Sequence, residues 1–365
     1  MNNNLKTTKS VLKDELFSIS NKKMSIIKKK KALLKLNDYL FTQKKSFLGY
    51  QVNQKNDYKT NYSQYLDICL NNIGDPFVDG SLTTNTKAVE REVLKYYAKL
   101  WNNEVRDKPL QKDNFWGYIV SMGATEANIF GILSGRDYLE GKELLIVDKD
   151  KVKEITKGTG DTEHLINQNL RISYGKVKCK SKSANKLKPI SFYSQDAHYS
   201  IVKAMEVLKI STFNNEALIK NYKCPLTKKD YPKDFSKEYL DENGWPKEVP
   251  SNQDGSVHIP ALIKLIEFFA SRGHPILIIF NYGSTFKGAY DDIETAVEQI
   301  VPILKKYDLY KREIEYKDQK IDKRNGFWFH VDGALGAAYM LWLVQRLLFG
   351  VSRIEPNDKT RLGKF

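Results

Sequence analysis

Cysteine is scarce in this chain and long apolar runs are missing, and each shortage excludes a class of protein. The three cysteines, Cys69, Cys179 and Cys224, lie far apart and form no C-x-x-C pair. That excludes a disulfide scaffold and a cysteine-rich zinc centre, and it suits a reducing compartment; no metal site is expected. The best candidate for a membrane span, 337–351, is interrupted by Gln345 and Arg346, which leaves it too short and too polar to cross a bilayer. The Asn- and Lys-rich first residues lack the apolar centre of a secretory signal. A soluble, cytoplasmic protein is the expectation. What is present is ordinary for a globular chain: 365 residues, 41% apolar and 28% charged, enough for one large or two medium domains with a sizeable core.

The net charge is +15, and its distribution matters more than its size. Residues 1–45 carry +9 and residues 151–188 carry +7, so the rest of the chain is close to neutral. A run such as Lys28-Lys29-Lys30-Lys31 could touch phosphate non-specifically, but a solvated face is the favoured reading. Nothing elsewhere resembles a helix-turn-helix, a zinc finger or an RNA-stacking motif. A nucleic-acid partner is therefore not expected. Were residues 1–45 to bind one, affinity would fall steeply with salt.

Apolar residues recur at helical spacing within 5–45, and Val89, Val93, Tyr96, Tyr97 and Leu100 form one stripe of a helix over 86–101. A Tyr- and Asn-rich stretch, 46–85, lies between them. From 116 onward short apolar runs alternate with helices. Strands are expected at 118–120, 144–147, 190–193, 276–280 and 327–331. Helices are expected at 125–139, 199–208, 260–271 and 291–306. The basic segment 151–188 interrupts this alternation as a long excursion with little core, and 221–256 is a second polar stretch. Apolar strands separated by helices imply an α/β fold with a mainly parallel sheet covered on both faces. Three segments follow: a basic helical extension (1–45), an N-terminal segment (46–115) and a large α/β domain (116–365).

Ligands bind at the carboxyl ends of parallel strands, so the residues after each strand carry the functional reading. Ser121-Met122-Gly123-Ala124-Thr125-Glu126-Ala127-Asn128 opens a helix with small residues, a ready seat for phosphate. Ser194-Gln195-Asp196-Ala197-His198-Tyr199-Ser200 places a histidine at the second corner. Asn281-Tyr282-Gly283-Ser284-Thr285-Phe286-Lys287-Gly288-Ala289 is a loop of small and hydroxyl residues. Asp332-Gly333-Ala334-Leu335-Gly336 puts a carboxylate at the last corner. Each has a plain structural reading on its own: a packed histidine, a helix cap, an empty corner.

Together, and in this order, they resemble the pyridoxal-phosphate-dependent group II amino-acid decarboxylases, most closely the histidine/serine decarboxylase branch. The resemblance also runs through Leu48-Gly49-Tyr50, Asn71-Asn72-Ile73-Gly74-Asp75-Pro76-Phe77, Asn85-Thr86-Lys87 and Trp116-Gly117-Tyr118. It covers most of 48–340. It implies the large domain of a fold type I (aspartate aminotransferase-like) enzyme that uses pyridoxal 5′-phosphate to decarboxylate a histidine- or serine-like amino acid. By the same resemblance His198 stacks on the cofactor ring near the substrate carboxylate, and Asp332 keeps the ring nitrogen protonated. Ala124 and Thr125 hold the phosphate, and Thr285 and Ala334 line the cofactor pocket. The resemblance also implies a homodimer, with residues 46–85 reaching a neighbour's site.

Tyr282 and Ser284 depart from the family's residues at their positions. The family attaches its cofactor to a lysine in a Ser-x-Ser-Gly-His-Lys segment beyond the aspartate. Here only Lys359 and Lys364 follow Asp332, neither in such a segment, and the resemblance fades after Met340. The expectation is a member lacking its lysine strand and small C-terminal domain, catalytically silent and poorly soluble by itself. A non-catalytic or regulatory subunit is the rival reading.

Overall fold

The computed structural model describes residues 17, 23–45, 47, 55–78, 82–101, 103, 115–143, 173–178, 184, 186–317 and 319–337. Expectations for 144–147, for most of 151–188, for Leu48-Gly49-Tyr50 and for Lys359 and Lys364 lie outside these residues. The chain divides into two compact units, 1–73 with 80–86, and 74–79 with 87–365.

In the smaller unit, helix α1 (Ile26–Lys45) ends on Lys44 and Lys45, which suit the negative end of its dipole. Ile26, Ile27, Leu33 and Leu34 are exposed on it. A short helix α2 (Tyr58–Tyr62) starts at Asp57, whose side chain accepts from the Thr60 amide. The segment closes on itself where the Asn72 carboxamide oxygen accepts from the Thr86 amide at 2.6 Å.

The larger unit begins its helices with α3 (Lys87–Leu100) and α4 (Ala124–Leu139), which follows Gly123 at φ 86°. The run 118–120 is not a strand. Ile119 gives its amide to Glu90 Oε1 at 2.8 Å and is 52% exposed, so an acidic side chain of α3 takes the donor that a neighbouring strand would have used. After α4 come β1 (Lys142–Glu143), β2 (Ser173–Tyr174) and β3 (Lys176–Lys178).

The central sheet is parallel throughout. It contains β4 (Ile190–Phe192), β5 (Ser211–Thr212), β6 (Ile276–Asn281) and a last strand, Phe327–Asp332, in the order β5-β4-β6-last. Helices α5 (Tyr199–Leu208), α6 (Phe213–Ile219), α7 (Ile259–Ala270) and α8 (Ile293–Lys306) connect the strands. All six residues of β6 are buried, which explains its continuous apolar sequence. Ile276, Ile278 and Phe280 pack with Leu262, Leu265 and Phe269 of α7 and Ile300 and Leu304 of α8. The alternate residues Leu277 and Ile279 pack with Ile132 of α4 and Ile201 and Met205 of α5. The sheet thus has a helical layer on each face, as the alternation of strands and helices predicts.

Strands β7 (Arg312–Glu315) and β8 (Ile321–Arg324) form a hairpin to which β3 adds antiparallel; the last parallel strand is therefore β9. The described part of the basic excursion is anchored by this pairing rather than peripheral. The buried Arg312 guanidinium secures the arrangement by donating to the carbonyls of Lys186 (3.0 Å) and Leu139 (3.1 Å). Helix α4 lies against β9 through two glycines. A Cβ at Gly131 would stand 2.8 Å from His330 Cε1, and one at Gly135 would stand 2.6 Å from Trp328 Cδ1.

Candidate active site

The parallel strands end side by side. Asn281 lies opposite Asp332 in the β6–β9 register, and the corners after β4, β6 and β9 carry the predicted residues. His198 is the N-cap of α5: its Nδ1 accepts from the Ser200 amide. Histidine can cap here because a neutral imidazole offers one acceptor nitrogen. Its ring lies 4.1 Å from that of Tyr199, and it is half-buried. Asp332 is buried. One of its oxygens accepts from the Ala334 amide at 3.2 Å, and the other accepts from the side chain of Asn128 at 2.9 Å.

Asn128 links these groups. Its Nδ2 also donates to Ser200 Oγ at 3.1 Å, its Oδ1 lies 2.9 Å from His330 Nε2, and Ser200 Oγ lies 2.9 Å from His198 Nδ1. His198 and Asp332, 134 positions apart in sequence, are therefore joined through two buried polar side chains. Burial pushes His330 down to about 4, against a smaller upward pull from Asp332. The ring is neutral near pH 7 and donates through Nε2. Asn128 and Ser200 fall within the sequence motifs, and His330 within the strand expected before Asp332, each without a predicted role. The signal for Asn128 was available: it shares the buried stripe of α4 with Ile132, Gly135 and Leu139, where an amide needs internal partners.

Ala124 and Thr125 open α4 one turn before Asn128. No side chain caps that helix at Gly123, and the first-turn Glu126 carboxylate turns back to the Met122 amide at 3.2 Å, which leaves the Ala124 and Thr125 amides to meet an anion. Thr285 is half-buried in the loop after β6. Ser284 shapes this loop: its Oγ accepts from the Ala289 amide at 3.1 Å, and its own amide donates to the Ala289 carbonyl at 2.7 Å. Asp291 holds the base of the loop by accepting from the amides of Val257 (2.7 Å) and Asn281 (2.6 Å). The loops after β6 and β9 touch directly. Gly336 donates to the Tyr282 carbonyl at 3.0 Å, and a Cβ at Gly283, which has φ 96°, would stand 3.0 Å from the Gly336 nitrogen. His198, Thr285, Asp332 and Ala334 thus lie at the carboxyl ends of the parallel strands, Ala124 and Thr125 open the helix that carries Asn128, and hydrogen bonds connect His198, Asp332 and Ala334.

No family model matches the chain. Serine decarboxylase 1 of Oryza sativa subsp. japonica is 23% identical over 297 residues, covering 81% of this chain and 39% of that protein. Histidine decarboxylase of Solanum lycopersicum is 35% identical over 125 residues, 33% of this chain and 28% of that protein. Among solved structures, L-methionine decarboxylase from Streptomyces sp. 590 superposes with a TM-score of 0.73 at 33% identity, over 93% of this chain. The chain is a homologue of the group II amino-acid decarboxylases. This decarboxylase homologue has the fold type I architecture of that neighbour. It spans 60% of the solved structure and under half the length of the curated relatives it matches.

Proposed function

We propose that this chain binds pyridoxal 5′-phosphate and serves the decarboxylation of a histidine- or serine-like amino acid. The observation that carries the reading is the convergence of Asp332, Asn128, Ser200 and His198 one helical turn from the open N-terminus of α4. The donor set fits the group: open amides for a phosphate, a buried carboxylate for a ring N–H, and an imidazole for a ring face. When bound, the cofactor supplies the electron sink for the pair left behind as carbon dioxide departs. Asp332 would hold the proton on the ring nitrogen, its orientation fixed by Asn128 and the Ala334 amide. The first amides of α4 at Ala124 and Thr125 would hold the phosphate, and Thr285 would border the pocket. His198 would stack on the ring and present its Nε2–H to the substrate carboxylate. The likeness to serine and histidine decarboxylases supports the substrate class.

A cytoplasmic homodimer completes the proposal. The few, isolated cysteines suit a reducing compartment, and among the described residues no helix is long and apolar enough to cross a membrane. The Phe286 ring, beside Thr285, is 97% exposed, an apolar group at the site rim that a second copy would cover. The test is titration of the purified chain with pyridoxal phosphate, read by tryptophan fluorescence. Saturable binding that is weaker for pyridoxal without phosphate, and is lost in Asp332→Ala, is the expected result. Binding insensitive to both changes would overturn the reading.

A further inference from the structure

We propose that Asn128 is a positioning residue that fixes the tautomer of His198 through the hydroxyl of Ser200. The inference rests on the cofactor reading only for its purpose; its geometry stands without it.

The argument starts at Asp332. An asparagine side chain could sit with its oxygen and nitrogen exchanged, and hydrogen-bond partners decide between the two placements. Here the atom 2.9 Å from Asp332 Oδ2 must be Nδ2, because a carboxylate accepts only and an amide oxygen at that distance would repel it. The carboxylate therefore sets the amide. With Nδ2 fixed, the same group is the donor to Ser200 Oγ, and Oδ1 is left to accept from His330 Nε2. Both N–H groups of the amide are then used, and its oxygen has its own donor.

Ser200 has one hydroxyl hydrogen. Its oxygen already accepts from Asn128, so that hydrogen is free to point at the neighbour 2.9 Å away, His198 Nδ1. Nδ1 is also the atom that accepts from the Ser200 backbone amide at 3.3 Å. The backbone contact requires Nδ1 to be an acceptor, and the hydroxyl then donates to the same atom. The neutral ring then carries its hydrogen on Nε2, the nitrogen directed away from the helix cap. Asp332 thus orients Asn128, Asn128 orients the Ser200 hydroxyl, and Ser200 orients His198. The residue read as serving the ring nitrogen and the residue read as serving the ring face are set by one chain of donors, so His198 offers a donor, not an acceptor, to a substrate carboxylate.

The test uses the cofactor-free chain labelled with ¹⁵N at its five histidines, with the His198 signals assigned by their loss in His198→Gln. Long-range ¹H–¹⁵N spectra report which ring nitrogen carries the hydrogen. The wild type is expected to show a pyridine-like Nδ1 and a pyrrole-like Nε2 at His198. In Asn128→Leu, which has neither donor nor charge, the Ser200 hydroxyl loses the group that orients it, and the share of His198 carrying its proton on Nδ1 rises. Ser200→Ala, a milder change, removes the hydroxyl donor and gives a mixture of both tautomers. A wild-type His198 already protonated on Nδ1, or an unchanged tautomer in a folded Ser200→Ala variant, would overturn the inference. A tautomer that responds in a chain that binds no cofactor would leave the inference standing and remove the functional reading instead. The reverse pattern, a cofactor-binding chain with an indifferent tautomer, would do the opposite.

Discussion

The two glycines of α4 allow a paired perturbation whose outcomes differ in kind. Replacing Gly131 by alanine places a Cβ 2.8 Å from Cε1 and 3.0 Å from Nδ1 of His330. Replacing Gly135 places one between 2.6 and 2.8 Å from three atoms of the Trp328 indole. Non-bonded carbons rest about 3.5–4 Å apart, so each substitution forces an overlap of roughly 1 Å. The opposing effect is helix propensity, where alanine gains about 1 kcal/mol over glycine. Overpacking a fitted site costs about 1–3 kcal/mol, and neither ring can retreat freely. Trp328 is part of a paired strand, and His330 is tied to Asn128. Both variants should therefore be less stable than the wild type, Gly135→Ala by about 1–2 kcal/mol and Gly131→Ala by about 1 kcal/mol. Only Gly131→Ala pushes on a ring that touches the candidate site, so only it should weaken pyridoxal phosphate binding severalfold. Urea denaturation read by tryptophan fluorescence gives the stabilities, and cofactor titration gives the affinities. A Gly131→Ala protein as stable as the wild type with unchanged affinity would refute the claim that α4 and β9 meet closely enough to couple helix packing to the site.

Three further outcomes follow from individual residues. Burial raises Asp291 from 3.8 to about 6 although two backbone amides donate to it. A folded-state value above the unfolded one gives a contribution that is complete below about pH 4 and is lost as pH rises through about 6. The stability of the wild type relative to Asp291→Asn should thus fall by up to about 3 kcal/mol between pH 4 and 7.5, measured by urea unfolding at both pH values; a rise would contradict the assignment. Trp245 is fully buried and donates from Nε1 to the Tyr222 carbonyl at 2.8 Å, so Trp245→Ala should cost about 3–5 kcal/mol in the same assay. The Lys287–Asp196 pair, 3.2 Å apart with the lysine 45% exposed, should contribute less than about 1 kcal/mol, and Lys287→Ala should leave the unfolding midpoint almost unmoved.

The parts of the fold legible in the sequence are those where local chemistry and burial agree. Helix α5 starts at His198 and stops at Lys209, which adopts the left-handed conformation. Helix α8 starts where the Asp292 side chain accepts from Thr295. β6 reads as a strand because both of its faces are covered. The elements that escaped notice are amphiphilic in ways that short windows conceal. β3, Lys-Val-Lys, reads as part of a charged excursion because its partner β7 lies over 130 residues away. β7 and β8 each carry one apolar residue among three charged ones, and the buried arginine of β7 resembles any surface arginine until its carbonyl partners are known. Helix α6 is seven residues long, capped by Thr212 inside a two-residue strand, too short to set up a period. At the site, His198 and Asp332 stood out because motif order singles them out. The connection through Asn128 and Ser200 depends on side-chain directions from three separate elements, which no linear pattern encodes.

The contact between the loops after β6 and β9 bears on how the pocket could change over time or be redesigned. Gly336 donates to the Tyr282 carbonyl, and Gly283 leaves no room for a side chain against it. The segment carrying Thr285 and the segment carrying Ala334 therefore cannot vary independently. A loop transplanted from a relative with other selectivity would arrive with a backbone path fitted to its own counterpart, and swapped singly it would collide or leave a gap. The two segments form one inheritable unit, and a library that draws both from the same donor should yield folded variants far more often than one that mixes them.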